Sequence, residues 1–284
     1  MVCGVAWGST QTLGKIAVST GHGAFGLIFW QLVIGALVLA PFAHGLVVGR
    51  RQLGFAALIA MLGTLVPNAT FYISVERLPA GLMSILIATV PILAFPLALA
   101  LGMDRVSLGR IAGLACGLAG VALIALPEAS LPSPAMAAFL PLALIGPLFY
   151  AIEGNVVARM GTPGMTAVQA MFLVSCVGAA MVLPVTLATG QWIDPRAPWG
   201  APEAALALSS GAHAFAYSAY VWLAARAGTV FAAQTSYIVT GSGVVWAMLI
   251  LDERFSPYVW AAMAVMLAGL VLVSPRSTPA ASRV

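Results

Sequence analysis

The chain has 284 residues, of which 62% are hydrophobic and 7% charged, with a formal net charge of +4. A soluble domain averages about half apolar and a quarter charged, and 12 basic plus 8 acidic residues cannot clothe one of this length. The arginines stand scattered between apolar stretches and form no patch, so nucleic acid is excluded as a partner. Apolar stretches of about 20 residues recur between short polar breaks, the length that crosses a bilayer as a helix. The composition predicts an all-α polytopic membrane protein lying in the lipid bilayer.

Ten spans are predicted, at about 2–20, 24–48, 53–74, 80–101, 108–126, 137–158, 165–189, 202–223, 229–251 and 257–274. The first has no basic region ahead of it and no small-residue cleavage site, so it reads as a retained span rather than a signal peptide. It carries Trp7, Gln11, Thr12 and Lys15, and the second carries Gln31 in "FWQLVIG". The third holds Asn68, Thr70 and Tyr72, and the fourth, "LMSILIATVPILAFPLAL", holds Pro91 and Pro96. Gly109, Gly113 and Gly117 in the fifth have the four-residue spacing of close helix contact, read here as packing within a monomer. The break "LPEASLPSPAM" then divides the chain into halves, 1–130 and 131–284.

The sixth span supplies Phe149, Tyr150, Glu153 and Asn155, and the eighth His213, Tyr217 and Tyr220. The ninth, "VFAAQTSYIVTGSGVVWAML", contains Gln234, Thr235, Ser236, Tyr237, Gly241, Gly243 and Trp246. Cys3, Cys116 and Cys176 lie within apolar stretches and read as small core residues, because three thiols close no disulfide framework.

The halves repeat. A shift of 149 residues lays Asp104 on Glu253, Arg105 on Arg254, Ser107 on Ser256 and Gly120 on Gly269. Five spans is an odd number, so the second copy enters the membrane from the opposite side. Lys and Arg collect in cytoplasmic loops. With the N-terminus inside, Arg50, Arg51, Arg105, Arg110, Arg159, Arg226, Arg276 and Arg283 fall on the inner side. Lys15, Arg77, Arg196 and Arg254 fall on the outer side. Both termini are therefore expected in the cytoplasm. The duplicated acid-arginine turn is read locally as helix caps and headgroup pairs.

Two five-span inverted repeats, "AWGS" (Ala6–Ser9) and an acid-Arg-x-Ser turn before a Gly-rich fifth span resemble the drug/metabolite transporter superfamily, EamA type. Within it the chain looks most like the bacterial aromatic amino-acid exporters. Many such relatives have an arginine in the second span where this chain has Gln31, so a role for a buried cation does not carry over. The resemblance implies a secondary carrier of the bacterial cytoplasmic (inner) membrane that moves small metabolites outward without ATP or any cofactor. Consistent with that, the sequence contains no P-loop pattern.

A polar side chain is costly in hydrocarbon unless it faces the bundle interior or water. The polar residues cluster in spans one, three, six, eight and nine and are nearly absent from five and ten. The first group is therefore expected to line a central cavity. Trp7, Gln11, Asn68, Tyr72, Tyr150, Glu153, His213, Tyr217, Gln234, Tyr237 and Trp246 are its candidate substrate contacts. Such a lining suits a small solute with one apolar and one polar end, an amino acid or amphipathic drug rather than a sugar phosphate.

Two readings of Glu153 stand: a carrier of a coupling proton, since burial disfavours a charged carboxylate, or a structural group paired with Asn155 or backbone. Lys15 and Glu153 are expected at different depths and not as a bridge. Matched helix breaks at Pro91/Pro96 and Gly241/Gly243 are expected to serve as hinges, because carriers of this kind break corresponding helices in the two halves. Trp30, Trp192, Trp199, Trp222 and Trp260 read as an interfacial belt. An intramembrane enzyme is disfavoured. His22, His44 and His213 make no HExxH-type metal pair, and Ser242 between two glycines lacks a nucleophile's setting. A non-transporting scaffold would need neither matched breaks nor polar residues confined to some spans.

Overall fold

Backbone amides in hydrocarbon have no water to bond, so each apolar stretch closes its own hydrogen bonds as a helix. The computed structural model describes residues 1–126, 130–227 and 235–273, and the side chains of these except 218 and 220–227. Its described residues form ten helical rods and no strand. They are α1 (Val2–Ala17), α2 (Ala24–Leu39), α3 (Arg50–Arg77), α4 (Ala80–Ala100), α5 (Leu108–Ala125), α6 (Leu140–Met160), α7 (Ala167–Ala188), α8 (Ala201–Ala227), α9 (Thr235–Leu251) and α10 (Pro257–Val273). Among the described residues six stretches are long and apolar enough to span a bilayer by themselves, and α9 and α10 are shorter apolar helices. The outward faces are apolar too: Leu118, Leu249 and Val271 remain 63%, 71% and 61% exposed. Such a surface belongs in lipid, and the protein is an all-α polytopic membrane protein.

Local chemistry sets several helix boundaries. Ser107 caps α5 by accepting from the Arg110 amide (3.3 Å). Thr166 and Gln169 cap α7 reciprocally, each side chain taking the other's backbone N–H at 3.2 and 2.9 Å. Two helices are distorted from within by proline, which lacks an N–H and crowds the carbonyl four residues earlier. Pro67 crowds Gly63, and α3 widens into a π-type turn over Met61–Leu65. Pro91 crowds Ile87, and α4 is interrupted at Ala88. Of the break expected at Pro91/Pro96 in the fourth span, the Pro91 part is present, whereas the helix runs on through Pro96. The expected mate of this break is absent, because α9 runs unbroken from Thr235 to Leu251 across Gly241 and Gly243.

Gly243 has a different task. A Cβ there would stand 2.2 Å from Ser84 Oγ of α4 and 3.2 Å from the Gly8 carbonyl of α1, so its bareness lets three helices cross. Ser242 beside it donates to the Ile238 carbonyl at 2.6 Å and to the Gly4 carbonyl of α1 at 3.3 Å, which accounts for its polarity.

The helices sort into two groups. α2, α3, α7 and α8 pack with one another, as do α4, α5, α9 and α10, while α1 and α6 stand between as side walls. Exchanging each helix with the one five places on maps the main pairings onto themselves. The α2–α7, α4–α9 and α5–α10 pairs go to themselves, α1–α8 becomes α3–α6, and α2–α8 becomes α3–α7. Two copies of an odd-numbered unit related this way are inverted.

The core is not distributed evenly along the rods. One continuous cluster joins Ala17, Leu27, Val75, Leu82, Ile124, Leu140, Val182, Leu206, Val244 and Met266. By connectivity these lie at the end of the bundle away from Val2, termed the far end. At the near end the buried apolar residues described fall into separate clusters. One lies between α3 and α7 around Phe55 and Leu173, the other between α4 and α10 around Ile92, Phe95 and Val273.

The α5 glycine face is filled by this chain's own helices. A Cβ on Gly113 would lie 2.7 Å from the Gly269 carbonyl of α10 and 2.5 Å from Val273 Cγ2, whereas Gly109 has nothing nearer than 3.8 Å. Gly113→Val should therefore cost about 1–3 kcal/mol through overpacking, and Gly109→Val much less. Thermal unfolding of the two purified variants in detergent checks this, and equal midpoints would refute the seam.

Candidate functional site

Between the two helix groups lies a cavity of about 300 Å³. α1 contributes Trp7, Thr10 and Gln11, α2 contributes Gln31, and α3 a long strip from Ile59 to Tyr72. α4 adds Met83, Ile87 and Val90, α6 adds Tyr150 and Glu153, α8 adds Ser209, His213 and Tyr217, and α9 adds Thr235, Ser236 and Val239. Met171 and Val174 of α7 complete the wall, and α5 and α10 contribute nothing to it. Polar lining groups come from α1, α2, α3, α6, α8 and α9, while α4 presents only apolar side chains. No lysine or arginine faces the cavity among the described residues.

A hydrogen-bond chain organises the polar wall. Gln31 Oε1 accepts from Asn68 Nδ2 (3.2 Å) and from the Tyr72 hydroxyl (3.0 Å). The Tyr150 hydroxyl donates in turn to Asn68 Oδ1 (3.3 Å). Helix spacing makes this possible: Asn68 and Tyr72 are four residues apart and share one face of α3. Across the cavity Trp7 meets His213 edge-on, with ring centroids 5.7 Å apart, and Tyr217 at 6.4 Å. Gln11 places its amide oxygen in a buried position with no protein partner among the described residues.

Glu153 sits where α3 is widened. A Cβ on Gly63 would lie 2.4 Å from its carboxyl carbon, so the bare backbone of the wide turn is what gives the carboxyl room. Asn155 is turned away, donating to the carbonyls of Ala94 in α4 (3.1 Å) and Ala151 (2.9 Å), so of the two readings of Glu153 the one that pairs it with Asn155 does not occur. Lys15 is likewise apart from Glu153, as expected. Its Nζ donates to the backbone carbonyls of Val75 (2.9 Å) and Leu78 (2.6 Å).

Of the residues expected from the sequence, Trp7, Gln11, Asn68, Tyr72, Tyr150, Glu153, His213 and Tyr217 are brought together around one space. Tyr237 and Trp246 are not in its wall. Trp246 instead donates its indole N–H to the Val5 carbonyl at 3.1 Å, pinning α9 to α1. Gln234 lies outside the described residues. Among the lining residues the sequence reading did not single out as such are Gln31, Gly63 and Pro67. A lone amide in an otherwise apolar span, and a glycine four residues before a proline, were the available signals.

The EamA-like transporter family model matches residues 1–126 and 138–274. A protein of Streptantibioticus cattleyicolor named "Probable terminal-alkyne amino-acid exporter" is 24% identical over 277 residues, spanning 96% of this chain and 91% of that protein. One solved structure, titled "Crystal structure of protein", superposes with a TM-score of 0.59 at 16% identity, over 96% of this chain and 94% of its own. That likeness supports the fold alone.

The Gln31 network makes a test possible without a substrate. Gln31→Leu strands Asn68 and Tyr72 and should cost about 1–3 kcal/mol of stability. With Tyr72→Phe added, the double variant should cost less than the sum of the singles by about 1 kcal/mol. Denaturant unfolding of the four proteins measures the coupling, and strict additivity would show that the bond contributes nothing.

Proposed function

The chain belongs to the EamA-like transporter family, and on that premise we propose that it is a secondary exporter of small amphipathic metabolites, amino acids including aromatic ones, working by alternating access. The observation that carries this reading is the cavity between the two helix groups, with a polar wall around Gln31, Asn68, Tyr72, Tyr150 and Glu153 facing an apolar wall from α4. An amino acid offers the matching halves, an apolar side chain and a compact polar head. An anion of several charges would find no cation to meet it. The name of the S. cattleyicolor relative points the same way.

The reading extends to orientation and coupling. The halves 1–130 and 131–284 form the two repeats of one monomeric carrier in the bacterial inner membrane, with both termini in the cytoplasm. The near end then faces inward, and this conformation, whose continuous core among the described residues lies at the far end, is the inward-facing form. Glu153, a carboxyl in the cavity wall, carries the coupling proton. Pro91 is the hinge: by interrupting α4 at Ala88 it leaves that helix free to bend beside the cavity.

Counterflow in proteoliposomes against a panel of labelled amino acids should show exchange of aromatic and aliphatic ones. Exchange of none, with uptake of cationic dyes instead, would replace the reading by a multidrug carrier. An imposed pH gradient should drive accumulation in the natural protein, while Glu153→Gln should lose that accumulation and keep exchange. Accumulation that ignores the gradient would make the protein a facilitator.

Orientation is checked separately. Single cysteines at Arg105 and Glu253, in a background lacking Cys3, Cys116 and Cys176, should react with an impermeant maleimide from opposite sides, the first from the cytoplasm. Reaction of both from one side would overturn the inverted topology.

A further inference from the structure

The packing departs from its own two-fold relation in one informative place. Besides α8 and α9, α1 also packs on α3 and α4. Its mate α6 packs on α3 and α4, yet among the described residues it makes no comparable packing with α8 or α9. The extra contacts of α1 lie at the far end, where the continuous core closes the bundle.

Lys15 lies among those contacts. A helix leaves its last carbonyls without partners, and at the end of α3 the deficit is sharpened by sequence. The carbonyl of Val75 would ordinarily accept from residue 79, which is Pro79 and has no N–H. Lys15 Nζ fills the place, donating to Val75 at 2.9 Å and to Leu78 at 2.6 Å. A cation at a helix C-terminus is also favoured by the helix dipole. Two residues on, the Glu253 carboxylate accepts from the Ala80 and Gly81 amides, at 2.7 and 2.9 Å, at the opposite pole of α4. The turn that joins the two helix groups, Leu78–Pro79, is thus gripped by a cation from α1 and an anion from the α9–α10 turn. The aligned acid of the other repeat, Asp104, pairs with Arg110 of the next helix.

We propose that Lys15 is the gate residue of the far end: its bonds to the end of α3 hold that end shut, and they release when the cavity opens there. This rests on the protein being an alternating-access carrier, though not on which solute it carries. The test needs no substrate, so its outcome is separable from that of the counterflow assay.

In the background without native cysteines, one reporter is Leu82→Cys, fully buried in the far-end core. The other is Met171→Cys, in the cavity wall toward the near end. Each is combined with Lys15→Met, Lys15→Gln and Lys15→Arg in reconstituted full-length protein. With Lys15→Met, an impermeant maleimide should label Leu82→Cys from the far side about tenfold faster, the factor that one charge-assisted hydrogen bond is worth. Labelling of Met171→Cys from the near side should slow. Lys15→Gln should fall between, and Lys15→Arg should match Lys15. Should the Met variant fail to assemble, the comparison of Gln with Arg decides by the same criterion. Rates unchanged at both reporters, or raised at both as in general loosening, would overturn the proposal.

Discussion

Within hydrocarbon a backbone N–H or carbonyl left unpaired costs several kcal/mol, and the irregularities of this protein are placed accordingly. Ten rods satisfy nearly all of their groups internally. The two turns at which proline widens or interrupts a helix lie beside the cavity, while Pro184 sits on an exposed face of α7 without interrupting it. The wide turn of α3 at Met61–Leu65 faces Glu153, and the interruption of α4 at Ala88 lies between the cavity residues Ile87 and Val90. The abrupt turn between α3 and α4 is completed by side chains from elsewhere, Lys15 for the carbonyls and Glu253 for the amides.

The same constraint explains why polar chemistry and distortion coincide. A helix that runs without a break presents only side chains to a solute. One widened by Pro67 at bare Gly63 can accept a carboxyl against its backbone, and Glu153 occupies that spot. Asn68, Tyr72 and Tyr150 are joined through Gln31, which keeps them ordered in a low-dielectric space. The side chains that α4 contributes to the wall are apolar.

Far-end and near-end packing differ in a way that pseudo-symmetry brings out. The pairs α2–α7, α4–α9 and α5–α10 are related to themselves by the exchange of halves and hold each group together. The contacts that break the relation, α1 with α3 and α4, lie where the continuous core lies. The near-end clusters around Phe55 and around Phe95 belong to separate helix groups.

Much of this could be read from the residues in order. Hydrophobic length and the scarcity of charge specify helices in a membrane because those quantities are summed along one segment and need no partner. The concentration of polar residues in some spans located part of the cavity wall for the same reason: burying them in lipid is prohibitive wherever the neighbours happen to be. Proline effects are local as well, which is why the interruption of α4 lies where Pro91 implies it.

What depended on which helix lies against which could not be read that way. Gly243 looked like a helix break and is a crossing point, because the decisive fact is the closeness of Gly8 and Ser84. Trp246 looked like a cavity wall and is a tether to Val5, and Asn155 bonds α4 instead of Glu153. Lys15 looked like an isolated charge, and its partners are carbonyls sixty and more residues away, orphaned by Pro79 and the end of α3. The sequence alone determined the membrane helices and the presence of an amphipathic interior, since transfer energies belong to single segments. Only the tertiary structure decided how the polar groups pair, which glycines face a neighbour and which end is closed, because these depend on distances between segments that hydrophobicity leaves unspecified.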